Sequence, residues 1–89
     1  MRTIWKYPLL GSKMTILLPF NAKPLYVAYQ NNSGNLWVEL YTEEQKVERH
    51  FEIFGTGQEI SKSGILKYIG SYMEGGGLYV WHVYEQLQP

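Results

Sequence analysis

The sequence contains no cysteine and no aspartate. The missing cysteine excludes disulfide bonds and thiolate chemistry, and it suits a reducing compartment. The missing aspartate removes the commonest ligand of calcium and magnesium sites, so all eight acidic residues are glutamate. It also removes the residue that usually orients the histidine of a serine-type catalytic triad.

The chain has no surplus of either charge. Eight basic and eight acidic side chains cancel to a formal net charge of zero. A domain that binds nucleic acid usually carries a basic surplus or a basic stripe, and the sequence shows neither. We therefore expect no nucleic-acid partner.

Long apolar runs are also missing. The purely aliphatic run Ile16-Leu17-Leu18 ends at Pro19. It is too short for the core of a signal peptide and far too short for a membrane span. These features lead us to expect no membrane partner and a cytoplasmic location.

Alternation of apolar and polar residues with a period of two dominates the chain, and it predicts about seven β-strands. The clearest hairpin turn is Asn31-Asn32-Ser33-Gly34-Asn35, because Asn and Gly tolerate the positive φ angles of tight hairpins. Prolines should end the first strand at Pro8 and hold residues 19–24 in a loop. The predicted strands are 3–7, 14–18, 25–30, 36–41, 47–54, 65–73 and 78–84.

One segment fits two structures. Residues 43–54 are rich in helix formers, and Val47, Phe51 and Phe54 have helical spacing. The alternation from Val47 to Ile53 favours a strand instead. Gly70 within a later strand indicates a bulge or a close backbone approach. The sequence thus predicts one all-β domain over residues 1–89, an antiparallel barrel or sandwich whose residues 85–89 form a frayed tail.

The turn Gly55-Thr56-Gly57 lies between two predicted strands and is followed by polar residues. A phosphate-binding P-loop needs a Gly-Lys-Ser/Thr step and a following helix, and the sequence has neither. Two interpretations stay open. The glycines supply positive φ at a strand end, or successive amides form an anion-binding nest without a helix.

Histidines and serines give no catalytic or metal-binding motif. His50 alternates with Glu48 and Glu52 on a face that we expect to be solvated, whereas His82 lies among apolar residues. A catalytic zinc site commonly needs three protein ligands. No serine has the sequence context of a nucleophile elbow. We therefore expect a protein that is not an enzyme, with no metal site and no cofactor.

Aromatic residues are plentiful, since eight tyrosines and three tryptophans are present. Such rings pack in β-cores, but they also stack on nucleobases and anchor protein interfaces. The segment Leu78–Tyr84 is apolar or aromatic on both faces. An exposed edge strand of that kind pairs readily with its own copy, so we expect a homodimer.

The blocks WKYPL, LPFNAKPLYV, LWVEL, IFGTGQEI, LKYIGSY and YVWHVYE follow one another along the chain. In this order they resemble a family of very short proteins found in tailed-bacteriophage genomes and classed as a domain of unknown function. The resemblance covers nearly the whole chain and implies an accessory phage gene expressed in the host bacterial cytoplasm. It implies no activity and no catalytic residue. The blocks place recurring residues at Lys6, Tyr7, Pro8, Gly55, Thr56, Gly57, Tyr68, Gly70, Trp81 and His82.

The function that these observations favour is a counter-defence protein that sequesters a nucleotide-derived immune signal of the host. Rings would stack on the base, while the Gly55–Gly57 amides and Lys6, Lys62 or Lys67 would hold phosphate. A different hypothesis is an interaction protein that occludes a host defence protein or a phage protein through an aromatic patch. A minor virion or morphogenesis component is a third. The residues expected to bind ligand are Lys6, Tyr7, Gly55, Thr56, Gly57, Tyr68, Trp81 and His82.

Overall fold

The computed structural model describes residues 1–60 and 64–88, and in that part of the chain it contains seven strands and no helix. The strands are β1 (Arg2–Leu9), β2 (Lys13–Pro19), β3 (Lys23–Gln30), β4 (Ser33–Tyr41), β5 (Lys46–Gly55), β6 (Ile65–Glu74) and β7 (Tyr79–Gln88). The predicted all-β class is confirmed. The helical alternative for residues 43–54 is wrong, because most of that segment lies in β5.

The strands form two antiparallel sheets. One sheet has the order β1-β4-β3 and the other has the order β2-β5-β7-β6. The sheets are not joined into a closed barrel, so of the two predicted architectures the structure has the sandwich.

The core lies between the inner faces of the two sheets. Leu36, Val38 and Leu40 of β4 alternate inward and are at most 1% exposed, as the sequence predicts. They meet Phe51 and Val83 from the other sheet, which are similarly buried. Each such side chain contributes about 1.5–3 kcal/mol of transfer free energy on burial.

The β3–β4 connection is a two-residue hairpin turn. Asn31 and Asn32 have φ angles of 55° and 65°, the positive values that a type I′ turn requires at both central positions. Gln30 and Ser33 are paired on either side of it. The predicted hairpin is therefore confirmed, with Ser33 to Asn35 already in β4.

Three prolines lie inside strands rather than at their ends. Pro8, Pro19 and Pro24 belong to β1, β2 and β3. Each of these is an edge strand, which has a neighbouring strand on one side only. Proline is tolerated there, because its missing N–H can face solvent instead of a neighbouring strand. The expected strand end at Pro8 and the expected loop over 19–24 are therefore wrong. The loop shortens to residues 20–22.

The last strand differs from the prediction in length and in position. Residues 85–88 continue β7 instead of fraying, with Gln86 opposite His50 of β5. The buried Glu85 carboxylate anchors this end through an ion pair with Arg49. Because β7 lies between β5 and β6, the expectation that it is a free edge strand is also wrong. The homodimer itself stays a prediction.

Gly70 allows β3 and β6 to approach each other. The register of β6 against β7 shifts between Tyr68 and Gly70, which confirms the predicted bulge. A Cβ atom at Gly70 would lie 2.8 Å from Cγ2 of Val27 in β3. The missing side chain therefore lets the two sheets close on this side of the sandwich.

Candidate functional site

The Gly55–Gln58 segment is a tight turn in which the amides of Gly55, Thr56 and Gln58 already have acceptors. The Gln58 N–H donates to the Gly55 carbonyl at 3.0 Å, and Gly57 has a φ of 88°, as in a type II turn. The Gly55 N–H donates to Oε1 of Gln58 at 2.9 Å, and the Thr56 N–H donates to the Val80 carbonyl at 3.3 Å. An anion held by these three amides would have to displace those bonds.

A chain of hydrogen bonds joins three of the sequence-predicted residues through a fourth that the sequence did not single out. Oγ1 of Thr56 lies 2.9 Å from Nε2 of His82, and Nδ1 of His82 lies 2.8 Å from Oγ of Ser71. Oγ of Ser71 in turn lies 2.7 Å from the Tyr68 hydroxyl. We call these four residues the hydroxyl–imidazole chain. It crosses from the end of β5 over β7 to β6.

One direction of donation satisfies every hydrogen in the hydroxyl–imidazole chain. Tyr68 donates to Ser71, Ser71 donates to Nδ1 of His82, and Nε2–H donates to Thr56. Thr56 then donates to the Val80 carbonyl at 3.4 Å. In this arrangement the Thr56 hydroxyl is not activated by an imidazole base. The hydroxyl–imidazole chain then holds the Gly55–Gln58 turn against β6 and β7 through hydrogen bonds.

Trp81 faces the opposite side of β7 from His82 and lines an open cleft. Its Nε1–H donates to Oε1 of Glu74 at 2.9 Å, and its ring stacks on that of Tyr79 at 6.1 Å between centroids. A Cβ atom at Gly55 would lie 3.2 Å from Cζ3 of Trp81, so the glycine leaves room for the ring. The cleft has a volume of about 420 Å³ and lies at one end of the sandwich.

Lys6 and Tyr7 lie on opposite faces of β1. Tyr7 packs against the core, and burial raises the pKa of its hydroxyl. Lys6 lies on the outer face, where its Nζ donates to Oε1 of Gln30 at 2.8 Å. The same Nζ lies 5.9 Å from the ring centre of Trp37, within the range of a cation–π contact.

The outer surface of the three-stranded sheet combines exposed rings with positive charge. Tyr26 and Trp37 are opposite each other in β3 and β4, with ring centroids 5.6 Å apart. We call part of this surface the Lys6 face, and define it as Arg2, Ile4, Lys6, Lys23, Tyr26, Trp37 and Glu39. Three of these side chains are basic and one is acidic. The fold therefore segregates charge that cancels over the whole chain.

The structure separates the residues that the sequence grouped as one site. Thr56, Tyr68 and His82 are joined by the hydroxyl–imidazole chain, while Trp81 lines the cleft and packs beside Gly55. Lys6 is in the other sheet. Of the other lysines considered for phosphate, Lys67 lies exposed on β6, and Lys62 is outside the described residues.

Within residues 1–60 and 64–88, no three histidine or glutamate side chains are grouped closely enough to share a metal ion. In the same part of the chain, no helix has the length and apolar character needed to cross a membrane.

A family model described as a domain of unknown function, DUF7352, covers residues 1–89. No curated protein and no solved structure matches the chain significantly. Since the family model covers the full chain, the protein belongs to the DUF7352 family.

Proposed function

We propose that this protein is a non-enzymatic phage accessory protein that sequesters a nucleotide-derived immune signal in the cytoplasm of a bacterial host. The observation that carries the proposal is the row of Lys6, Trp37 and Tyr26 across the Lys6 face, which sets two rings beside a cation. Stacking rings and basic side chains are the two groups that bind a base and its phosphates.

The rings offer a stacking surface. Tyr26 is 61% exposed, although its ring contacts that of Trp37 on the neighbouring strand. A base that stacks on such a ring gains about 1–3 kcal/mol. Stacking tolerates any base, so it supports recognition of a nucleotide class rather than of one base.

The cations around the rings suit phosphate. The Lys6 ammonium has a neutral hydrogen-bond partner in Gln30, so its charge is not cancelled by that contact. Arg2 forms an ion pair with Glu39, and Lys23 lies opposite the same glutamate. A phosphate above this row would meet more positive than negative charge. Because the face is open to water, we expect the affinity to fall as salt concentration rises.

An open face gives limited affinity to one copy of the protein. A single stacked base contributes about 1–3 kcal/mol, whereas a micromolar complex requires about 8 kcal/mol. A second copy laid over the ligand would supply a second pair of rings and more cations. The proposed homodimer therefore fits sequestration best if the two Lys6 faces enclose the ligand between them.

Calorimetric titration with mononucleotides, cyclic dinucleotides and the corresponding nucleosides tests the proposal. Tyr26→Ala and Lys6→Gln should each weaken nucleotide binding by about tenfold, a loss of about 1.4 kcal/mol. Lys6→Gln should leave binding of the uncharged nucleosides unchanged. Matched controls are Lys46→Gln and Tyr79→Ala, which alter exposed side chains in the other sheet. Equal loss in the controls, or no binding by any nucleotide, would contradict the proposal.

The same face supports one other function. Ile4 is 53% exposed. It lies opposite Glu39 in β4, two residues from the Trp37 that contacts Tyr26, so the surface has apolar as well as basic parts. Exposed aromatic and aliphatic side chains are typical anchors of a protein interface. Under this second proposal the face occludes a host or phage protein. The protein would then co-purify with one host polypeptide at constant stoichiometry, and nucleotides would not displace it.

A further inference from the structure

The cleft at the end of the sandwich is a second place where rings are exposed, and its charge is opposite to that of the Lys6 face. Its walls include the rings of Tyr29, Tyr72 and Trp81. Tyr29 and Tyr72 are stacked with their centroids 6.4 Å apart and an angle of 20° between the rings. The volume of about 420 Å³ lies within the range of roughly 300–1,000 Å³ found for small-molecule sites.

Glu74 is the one charged residue among the described side chains that line the cleft. Its Oε1 accepts the Trp81 indole N–H at 2.9 Å, and this bond holds the carboxylate beside the ring. The cleft therefore combines a fixed negative charge with the aromatic rings in its walls. Neither group attracts a phosphate, so this site differs from the nucleotide site proposed for the Lys6 face.

The position of Tyr72 depends on a glycine in the facing sheet. A Cβ atom at Gly34 would lie 2.4 Å from Cζ and 2.5 Å from the hydroxyl oxygen of Tyr72. The tip of the tyrosine thus rests on the β4 backbone, which keeps the ring in the wall of the cleft. Burial raises the pKa of this hydroxyl, and Glu74 raises it further. Tyr72 is therefore a neutral phenol at physiological pH.

We propose that the cleft binds a small organic ammonium ion, such as a methylated or quaternary amine, between its aromatic rings and the Glu74 carboxylate. A cation within about 6 Å of a ring centre is attracted by the negative face of the ring. Quaternary ammonium groups lose little hydration on entering such a site, and a nearby carboxylate balances their charge. A neutral compound of the same shape gains only the apolar contact.

Choline and its uncharged isostere 3,3-dimethylbutan-1-ol are the probes that separate these contributions. Each is titrated into the ¹⁵N-labelled protein while the indole N–H signal of Trp81 is followed by NMR. Choline should shift this signal in a saturable way, with an affinity at least about tenfold higher than that of the alcohol. Equal affinities, or no saturable shift with either probe, would overturn the proposal.

Glu74→Gln keeps an oxygen that can accept the Trp81 N–H, so it removes the charge and preserves the hydrogen bond. It should reduce the affinity for choline by at least about tenfold and leave that for the alcohol unchanged. Glu48→Gln is the matched control, because Glu48 is an exposed carboxylate on β5 outside the cleft. If Glu74→Gln binds choline as tightly as the control variant and the unaltered protein do, the proposal is wrong. Nucleotide binding at the Lys6 face should be the same in all three proteins.

Discussion

Removal of Glu85 tests whether the last strand is held by a buried ion pair. The Arg49 guanidinium donates through Nε and Nη2 to the two oxygens of Glu85, at 2.5 and 2.8 Å. Its Nη1 donates to the Ala22 carbonyl at 2.6 Å. The side chains of Arg49 and Glu85 are only 20% and 6% exposed. This ion pair therefore links β5, β7 and the β2–β3 loop in a region that little water reaches.

Glu85→Ala should lower the free energy of unfolding by about 3–5 kcal/mol, because it leaves the guanidinium largely buried without a counter-ion. That is a large part of the roughly 5–15 kcal/mol that stabilises an ordinary domain. At about 4–8 °C per kcal/mol for a chain of this size, the melting temperature should fall by well over 10 °C. The double variant Arg49→Met/Glu85→Leu should recover most of this loss, since apolar side chains of similar volume replace both charges.

Urea denaturation followed by circular dichroism measures these differences. Glu39→Ala is the control, because it breaks the ion pair with Arg2, whose side chain is 62% exposed. Exposed pairs of this kind are worth about 0–1 kcal/mol. The reasoning would be refuted if Glu85→Ala cost less than 1 kcal/mol, or if the double variant were less stable than Glu85→Ala alone.

Three more changes test other parts of the structure. Thr56→Ala removes the hydrogen bond to His82 and should cost about 1 kcal/mol in urea denaturation, whereas Thr56→Ser should cost less; equal costs would contradict the hydroxyl–imidazole chain. Gly70→Ala should cost about 1–3 kcal/mol, because its Cβ would lie 2.8 Å from Val27, and Gly70→Ala combined with Val27→Ala should cost less than the two separate losses added together. The raised pKa of Tyr72 makes its contribution to stability complete below pH 10, the ordinary pKa of tyrosine, and lost as pH rises through the folded value. Stability between pH 9 and 11 should therefore fall less steeply in Tyr72→Phe than in the unaltered protein, and identical slopes would refute this.

Most of the fold could be predicted from local sequence. Alternation identified the strands, and the asparagines of the β3–β4 turn identified the hairpin, because both signals depend on neighbouring residues. The prediction failed where distant parts of the chain decide the outcome. Pro8 is tolerated because β1 lies at a sheet edge, and residues 85–88 belong to β7, where Arg49 of β5 forms an ion pair with Glu85. Strand order is not encoded in the local pattern, so neither result could be anticipated.

The candidate sites were predictable only in part. The rings and the Gly55–Gly57 turn were conspicuous in the sequence, but their grouping depends on which face each side chain occupies. The sequence alone does not indicate a role for Ser71, because its position between His82 and Tyr68 depends on the pairing of β6 with β7. Net charge was misleading for a similar reason. It sums over all faces, whereas Lys6 lies on a face where basic side chains outnumber acidic ones.

The most direct test of the proposed function is mass spectrometry of the small molecules that the protein retains during infection of a defended bacterial host. The protein is purified in low salt and denatured by heat, and the released compounds are compared with those from Tyr26→Ala and Lys6→Gln. Sequestration at the Lys6 face predicts an intact nucleotide derivative from the unaltered protein, at no more than one molecule per chain, and much less from either variant. Release of no nucleotide, or of equal amounts from all three proteins, would contradict it.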